Sequence, residues 1–83
     1  MDVRFTKHAR EKFKRLRSYG FFVSEVDVVD SIRRAVRVDR RGTQYLALKP
    51  IDEQYALRVV YEERNGYLLV ITFYPVRRSR YGV

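Results

Sequence analysis

The side chains able to do chemistry in this chain are few and mostly of one kind. Cysteine is absent and histidine occurs once, at His8, which excludes a disulfide framework, a thiolate nucleophile and a zinc site built from His and Cys. No metal site and no cofactor is expected. What remains is cationic and phenolic: Arg77, Arg78 and Arg80 crowd against Tyr81, Arg40 and Arg41 precede a glycine, Arg58 interrupts an apolar run, and Lys49 and Tyr45 flank another. A planar guanidinium can hold two oxyanion oxygens at once, and a tyrosine ring offers a stacking surface. Stacking is the expected role of Tyr81, because an unperturbed phenol ionises near pH ~10 and is a poor base unless neighbouring arginines lower it. His8, with an unperturbed pKa of about 6.5, is on chemical grounds the best acid or base present. A lone histidine in a first helical turn nevertheless serves more often in capping or packing. Glu62 and Glu63 are adjacent on a strand and face opposite sides, so they do not form an acid–base pair.

These residues need elements to hold them. Asp2-Val3-Arg4-Phe5 alternates as a short strand, and Thr6 caps a helix predicted from about Lys7 to Arg17. Ala9, Phe13 and Leu16 share one helical arc, beside a basic stripe of Lys7, Arg10, Lys14 and Arg17; Gly20 supplies the stop. Ser24 and Asp27 read as a capping-box variant opening a second helix, whose apolar half holds Val26, Val28, Val29, Ile32, Ala35 and Val36. Its polar half holds Asp27, Asp30, Ser31 and Arg34.

From Arg37 the period changes to two. Arg40-Arg41-Gly42 reads as a turn, followed by strands over Thr43–Leu48, Tyr55–Glu62 and Tyr67–Tyr74. Glu63-Arg64-Asn65-Gly66 fits a two-residue Asn-Gly turn or a three-residue loop, and the three-residue version sorts the side chains better. It places Leu57, Val59, Tyr61, Leu69, Ile71 and Phe73 on a core face, and Arg58 with Ala56, Val60, Val70, Thr72 and Tyr74 on an open face. Tyr45 and Lys49 are expected on that open face too. The fold class is therefore α+β in two layers: a short N-terminal strand, two helices, then an antiparallel meander of three to four strands. Arg58 and the basic segment from Arg77 are expected to converge there on one solvent-facing concavity.

Composition sets the outer bounds. The 83 residues suffice for one domain, and 46% apolar residues make it globular. The opening residues lack the apolar region of a signal peptide and no apolar run reaches membrane-spanning length, so a cytoplasmic location without membrane association is expected. Eighteen Lys and Arg against ten Asp and Glu give a net charge of +8, which suits a phosphate-rich polyanion, RNA above all. A surface rich in ion pairs would instead be near balance.

Three segments together resemble a known family. Phe5-Thr6-Lys7-His8-Ala9 is similar to the opening of RelE/ParE-type toxins, and also to a set of RelE-like domains with a histidine at that place. Leu57-Arg58-Val59-Val60-Tyr61-Glu62 resembles their central strand, and Val76-Arg77-Arg78-Ser79-Arg80-Tyr81 their closing basic segment. The similarity follows nearly the whole chain in order and spacing. It implies a RelE-like fold and a toxin of a toxin–antitoxin pair: a metal-independent endoribonuclease that cuts messenger RNA, usually in the ribosomal A site. The resemblance aligns Arg58 with the family's strand arginine and either Arg78 or Arg80 with its C-terminal arginine. Arg40 and Arg41 fall where related toxins carry lysines, which keeps a charge anchor but not a proton donor of tunable pKa. Arg58, Arg78, Arg80, Tyr81 and His8 are thus the catalytic candidates, and Arg40, Arg41, Tyr45, Lys49 and Arg77 the RNA-binding ones. The expected partners are RNA, with or without the ribosome, and a cognate acidic antitoxin. Two alternatives stay open: a non-catalytic nucleic-acid-binding module using the same contacts, and a ParE-like toxin directed at a protein.

Overall fold

The computed structural model describes residues 1–83. Its elements are β1 (Asp2–Phe5), α1 (Lys7–Ser18), α2 (Glu25–Arg33), β2 (Arg37–Arg41), β3 (Gln44–Pro50), β4 (Tyr55–Arg64), β5 (Tyr67–Arg77) and a short 3-10 turn, Arg78–Arg80. The five strands form one mixed sheet in the order β1-β5-β4-β3-β2, with β1 parallel to β5 and every other pair antiparallel. Both helices pack on the same face, so the α+β two-layer architecture read from the sequence is observed, with the meander at its longer length of four strands.

Thr6 joins the two layers. Its hydroxyl accepts the Ala9 amide at 3.0 Å, which caps α1, and donates to the Ile71 carbonyl at 3.1 Å. Its own amide bonds to the Val70 carbonyl, so the helix start is fixed against β5. α1 ends where Gly20 adopts φ 88°, letting the Phe21 amide turn back to the Leu16 carbonyl at 2.9 Å. Phe13 then lies between Phe5 and Phe73, with ring centroids 5.7 and 4.6 Å away, above a floor of Leu57, Val59 and Val70.

α2 departs from its expected arc. Ser24 and Asp27 form a full capping box, but the helix ends at Arg33, leaving Ala35 and Val36 outside it. The buried positions are Val28 and Ser31, whereas Val26 is 75% exposed. Ser31, expected on the polar half, needs no outside partner because its hydroxyl donates to the Asp27 carbonyl at 2.8 Å. Its small side chain allows the helix to lie close to the sheet.

Two strand expectations also change. Arg40 and Arg41 lie in β2, not in a loop; the turn is Gly42-Thr43, where Gly42 takes φ 63°. The β4–β5 hairpin closes through two residues, Asn65-Gly66, and the extra residue expected in that loop sits higher, where the register shifts between Val60 and Tyr61 opposite Ile71. Beyond the shift, Leu57, Val59 and Phe73 share the core face as expected. Below it the parity reverses: Val70 enters the core, and Leu69 and Ile71 leave it. No helix is long and apolar enough to cross a membrane.

Candidate nucleic-acid interface

Arg58 projects from the middle of β4 on the face away from the helices, between its register partners Leu48 on β3 and Tyr74 on β5. Beyond β5 the chain turns back over this face. Arg78 organises the turn: its amide bonds to the Gln54 carbonyl at 2.9 Å, its Nε donates to the Val83 carbonyl at 3.0 Å, and its Nη1 donates to the Asp52 carbonyl at 2.8 Å. The Tyr81 and Gly82 amides both close onto the Arg78 carbonyl. Tyr81 is thereby laid over Arg58, with the guanidinium carbon 5.1 Å from the ring centroid.

The convergence of strand arginine and closing segment is therefore present, but the concavity expected there is filled. Arg58 is only 6% exposed. Its Nη2 reaches Asp39 Oδ2 at 3.4 Å, while Nη1 is buried without a hydrogen-bond partner. Asp39 is shared with Arg37, whose Nε lies 3.0 Å away. One carboxylate thus serves two guanidinium groups, and the locus carries excess positive charge. Glu62, four residues further along β4, pairs with Arg64 at 2.7 Å and not with Arg58.

The other candidates divide between the two faces. Arg80 is exposed, and together with Arg77, Tyr81, Tyr55, Pro75 and Val76 it lines a shallow cleft of about 240 Å³ beside the Arg58 locus. Arg77 reaches this cleft from the helix side, with its guanidinium carbon 5.5 Å from the ring of its register partner Tyr55. Arg78 is spent on main-chain carbonyls, which makes it the clasp of the turn. Arg41 is exposed on the Arg58 side of the sheet, at the far end of β2.

Tyr45 and Lys49 are not beside Arg58. They share the face of Ala47, which is in the core, because the register sets Leu48 and not Lys49 opposite Arg58. Tyr45 stacks on Tyr61 at 5.4 Å, and Lys49 pairs with Asp30 of α2 at 3.0 Å. Arg40 stands opposite Tyr45 on that same face, 5.3 Å from its ring. His8 is exposed in the first turn of α1, in the helix layer behind the sheet. The arrangement needed for His8 to act with Arg58, a first helix flanking the open face, is not the one observed.

A cleft of about 400 Å³ on the helix side, next to Lys49, is larger but has no free chemistry. Asp27 is held in the capping box, Asp30 by Lys49 and Arg34, and Asp52 by the Gln54 and Tyr55 amides. The phenol of Tyr61 is raised above its ordinary value by burial first, and then by Glu63 and Tyr45. It belongs to the helix-side stack and not to the Arg58 locus.

Sequence reasoning missed Asp39 and Arg37. Reading Arg40-Arg41-Gly42 as a turn removed β2, and with it the partner strand that supplies the carboxylate. The alternation of Arg37 and Asp39 was the available signal. Chemically, the assembled locus offers guanidinium donors for an oxyanion and phenol rings for stacking, with Asp39 the sole carboxylate beside Arg58. Comparison with protein-family models, with curated proteins and with solved structures found no match to this chain.

Proposed function

We propose that this domain is a RelE-like toxin that acts on RNA through the sheet face carrying Arg58 and Tyr81, as an endoribonuclease that needs no metal. The observation that carries the reading is the placement of Tyr81 over Arg58 by the turn after β5, which unites the two segments whose sequences resemble the toxin family. The order of elements, with four antiparallel strands after two helices, supports the same kinship. In this reading the 2′-hydroxyl attacks the adjacent phosphorus and gives up its proton to solvent as the bond to the 5′-oxygen breaks. The Tyr81 phenol donates a proton to that leaving oxygen and is reprotonated from solvent, and the products are a 2′,3′-cyclic phosphate and a 5′-hydroxyl end. Exposed Arg80 meets the charge on the phosphoryl oxygens, and Arg58 adds positive potential from beneath the Tyr81 ring. An acidic partner protein holds the basic surface when the toxin is silent.

A second reading, an RNA-binding module that cuts nothing, is favoured by one fact: Arg58 is buried and already paired with Asp39. Incubating the protein with labelled RNA in EDTA, with and without ribosomes, separates the two. Cleavage that falls on Tyr81→Phe and on Arg80→Ala supports the nuclease. Intact RNA bound with a steep salt dependence supports the module. Neither cleavage nor binding, with toxicity retained, identifies a protein target.

A further inference from the structure

β2 is an outer strand of the sheet, with β3 as its single neighbour. α2 packs over β3 and β4, and the helix layer leaves Val38, on the helix side opposite Ala47, 49% exposed. The Gly42-Thr43 turn makes Arg41 and Gln44 a hydrogen-bonded pair, and antiparallel alternation commits Asp39 and Arg37 to β3 in the same way. The peptide groups of Val38 and Arg40 therefore point outward, and no backbone hydrogen bond outside the sheet ladder uses them. An uncovered row of this kind is a template for another strand.

The residues of the edge select which strand. β2 reads Arg37-Val38-Asp39-Arg40-Arg41, in which Val38 is the one uncharged residue. Outward peptide groups pair only with outward ones, so when two copies of β2 pair antiparallel about a two-fold axis the residue at the centre faces itself. Centring on Arg37, Asp39, Arg40 or Arg41 therefore opposes two like charges, which is destabilising. Centring on Val38 does not. It makes the two Val38 residues a hydrogen-bonded pair, brings their side chains together, and places Arg37 of each copy opposite Asp39 of the other. Val36, 59% exposed, then meets the alkyl stem of Arg40. From this self-complementarity we infer that β2 is the docking edge for a second copy of the chain, which extends the five-stranded sheet into a continuous one of twice the width. The axis stands perpendicular to the sheet, so both Arg58 faces lie on one side, about 24 Å apart at strand spacings of ~4.8 Å. Arg37 of the second copy joins Asp39, the carboxylate that Arg58 and the chain's own Arg37 share, so each copy adds a residue to the other's Arg58 locus. An edge of five residues is a small interface, which sets association in the micromolar range or weaker. The net charge of +8 on each copy repels at long range but is screened beyond about 8 Å at physiological ionic strength. The inference does not depend on the nuclease reading, since it rests on the backbone edge and its charge pattern.

Sedimentation velocity from about 10 µM to about 1 mM at physiological salt tests the association. A dimer forms as concentration rises, and the Val38 and Arg40 amides gain protection from hydrogen exchange alongside it. Val38→Arg sets two cations against each other at the centre and raises the dissociation constant by about tenfold or more. Arg37→Asp keeps the centre but opposes an acid to Asp39 of the other copy, and gives a comparable loss, which covers the case in which the first variant misfolds. Register is read from single cysteines, since the chain has none of its own. A short bis-maleimide joins Val38→Cys copies and leaves Arg41→Cys copies, about 20 Å apart along the strands, unjoined. A monomer throughout that range, a dimer unmoved by both charge variants, or cross-linking of Arg41→Cys in place of Val38→Cys would each overturn the inference. So would protection at β1 instead of β2, or protection of the β2 amides that appears only when an acidic peptide or RNA is added.

Discussion

Replacing Arg58 by methionine should leave the domain as stable as before, or more so, while replacing Asp39 by alanine should weaken it. Arg58 Nη2 meets Asp39 Oδ2 at 3.4 Å, with the arginine side chain 7% and the aspartate 37% exposed. Breaking a fully buried pair by removing one partner costs about 3–5 kcal/mol, because the surviving charge stays buried. Solvent at Asp39 and the length of the contact reduce this to about 2 kcal/mol for Asp39→Ala. Arg58→Met removes the buried charge together with the unpartnered Nη1, an atom that by itself costs about 1–3 kcal/mol, and the thioether keeps contact with the Tyr81 ring. Asp39 is not stranded, since it retains Arg37 and water. The net expectation for Arg58→Met is a change between zero and about 1 kcal/mol in favour of the folded state. In the double variant, Asp39→Ala should then cost almost nothing, giving a coupling of about 2 kcal/mol. Urea denaturation at constant m-value measures all four proteins. A loss above about 1.5 kcal/mol in Arg58→Met would refute the reasoning, since it would make the buried guanidinium a net source of stability.

Thr6→Val keeps the shape but loses both the cap on Ala9 and the bond to Ile71, and should cost about 1–2 kcal/mol in the same urea experiment. Phe73→Ala, at the fully buried centre of the aromatic cluster, should cost about 3–5 kcal/mol and on this small core should leave a largely unfolded chain by circular dichroism. Because the folded state raises the Tyr61 phenol, its contribution to stability is complete below the unfolded tyrosine value near pH ~10 and is lost as pH rises through the folded value. In a 295 nm titration Tyr61 should therefore ionise above the ordinary tyrosine value, and Tyr61→Phe should remove that late step and reduce the alkaline fall in stability.

What was legible in the sequence follows from which signals are local. Thr6, Ser24, Asp27 and Gly20 act within one helical turn of themselves, and each does what its spacing predicts. The side-chain alternation in β4 is equally local, so Arg58 was assigned to the face away from the helices correctly. The errors in the strands are of register, which depends on two strands at once. Losing β2 to a supposed turn hid Asp39, and counting Tyr45 and Lys49 from Leu46 and Leu48 alone placed them on the wrong face. The bulge at Ile71, whose carbonyl accepts the Thr6 hydroxyl from 65 residues away in sequence, reverses the lower half of β5. Burial was the least legible property. Nothing in the string Arg77-Arg78-Ser79-Arg80-Tyr81 tells that Arg78 folds the segment down onto Arg58 and closes it off.

The claim with most resting on it is that RNA meets the Arg58 face. Titrating a short RNA oligonucleotide into labelled protein, and following the guanidinium resonances of Arg58 and Arg80 and the ring resonances of Tyr81 and Tyr74, tests it directly. The account predicts that these signals move together and lose their shifts in Arg80→Ala, with His8 and Lys49 unaffected. Shifts confined to the helix layer around His8 and Lys49, with Arg58 and Tyr81 silent, would contradict it.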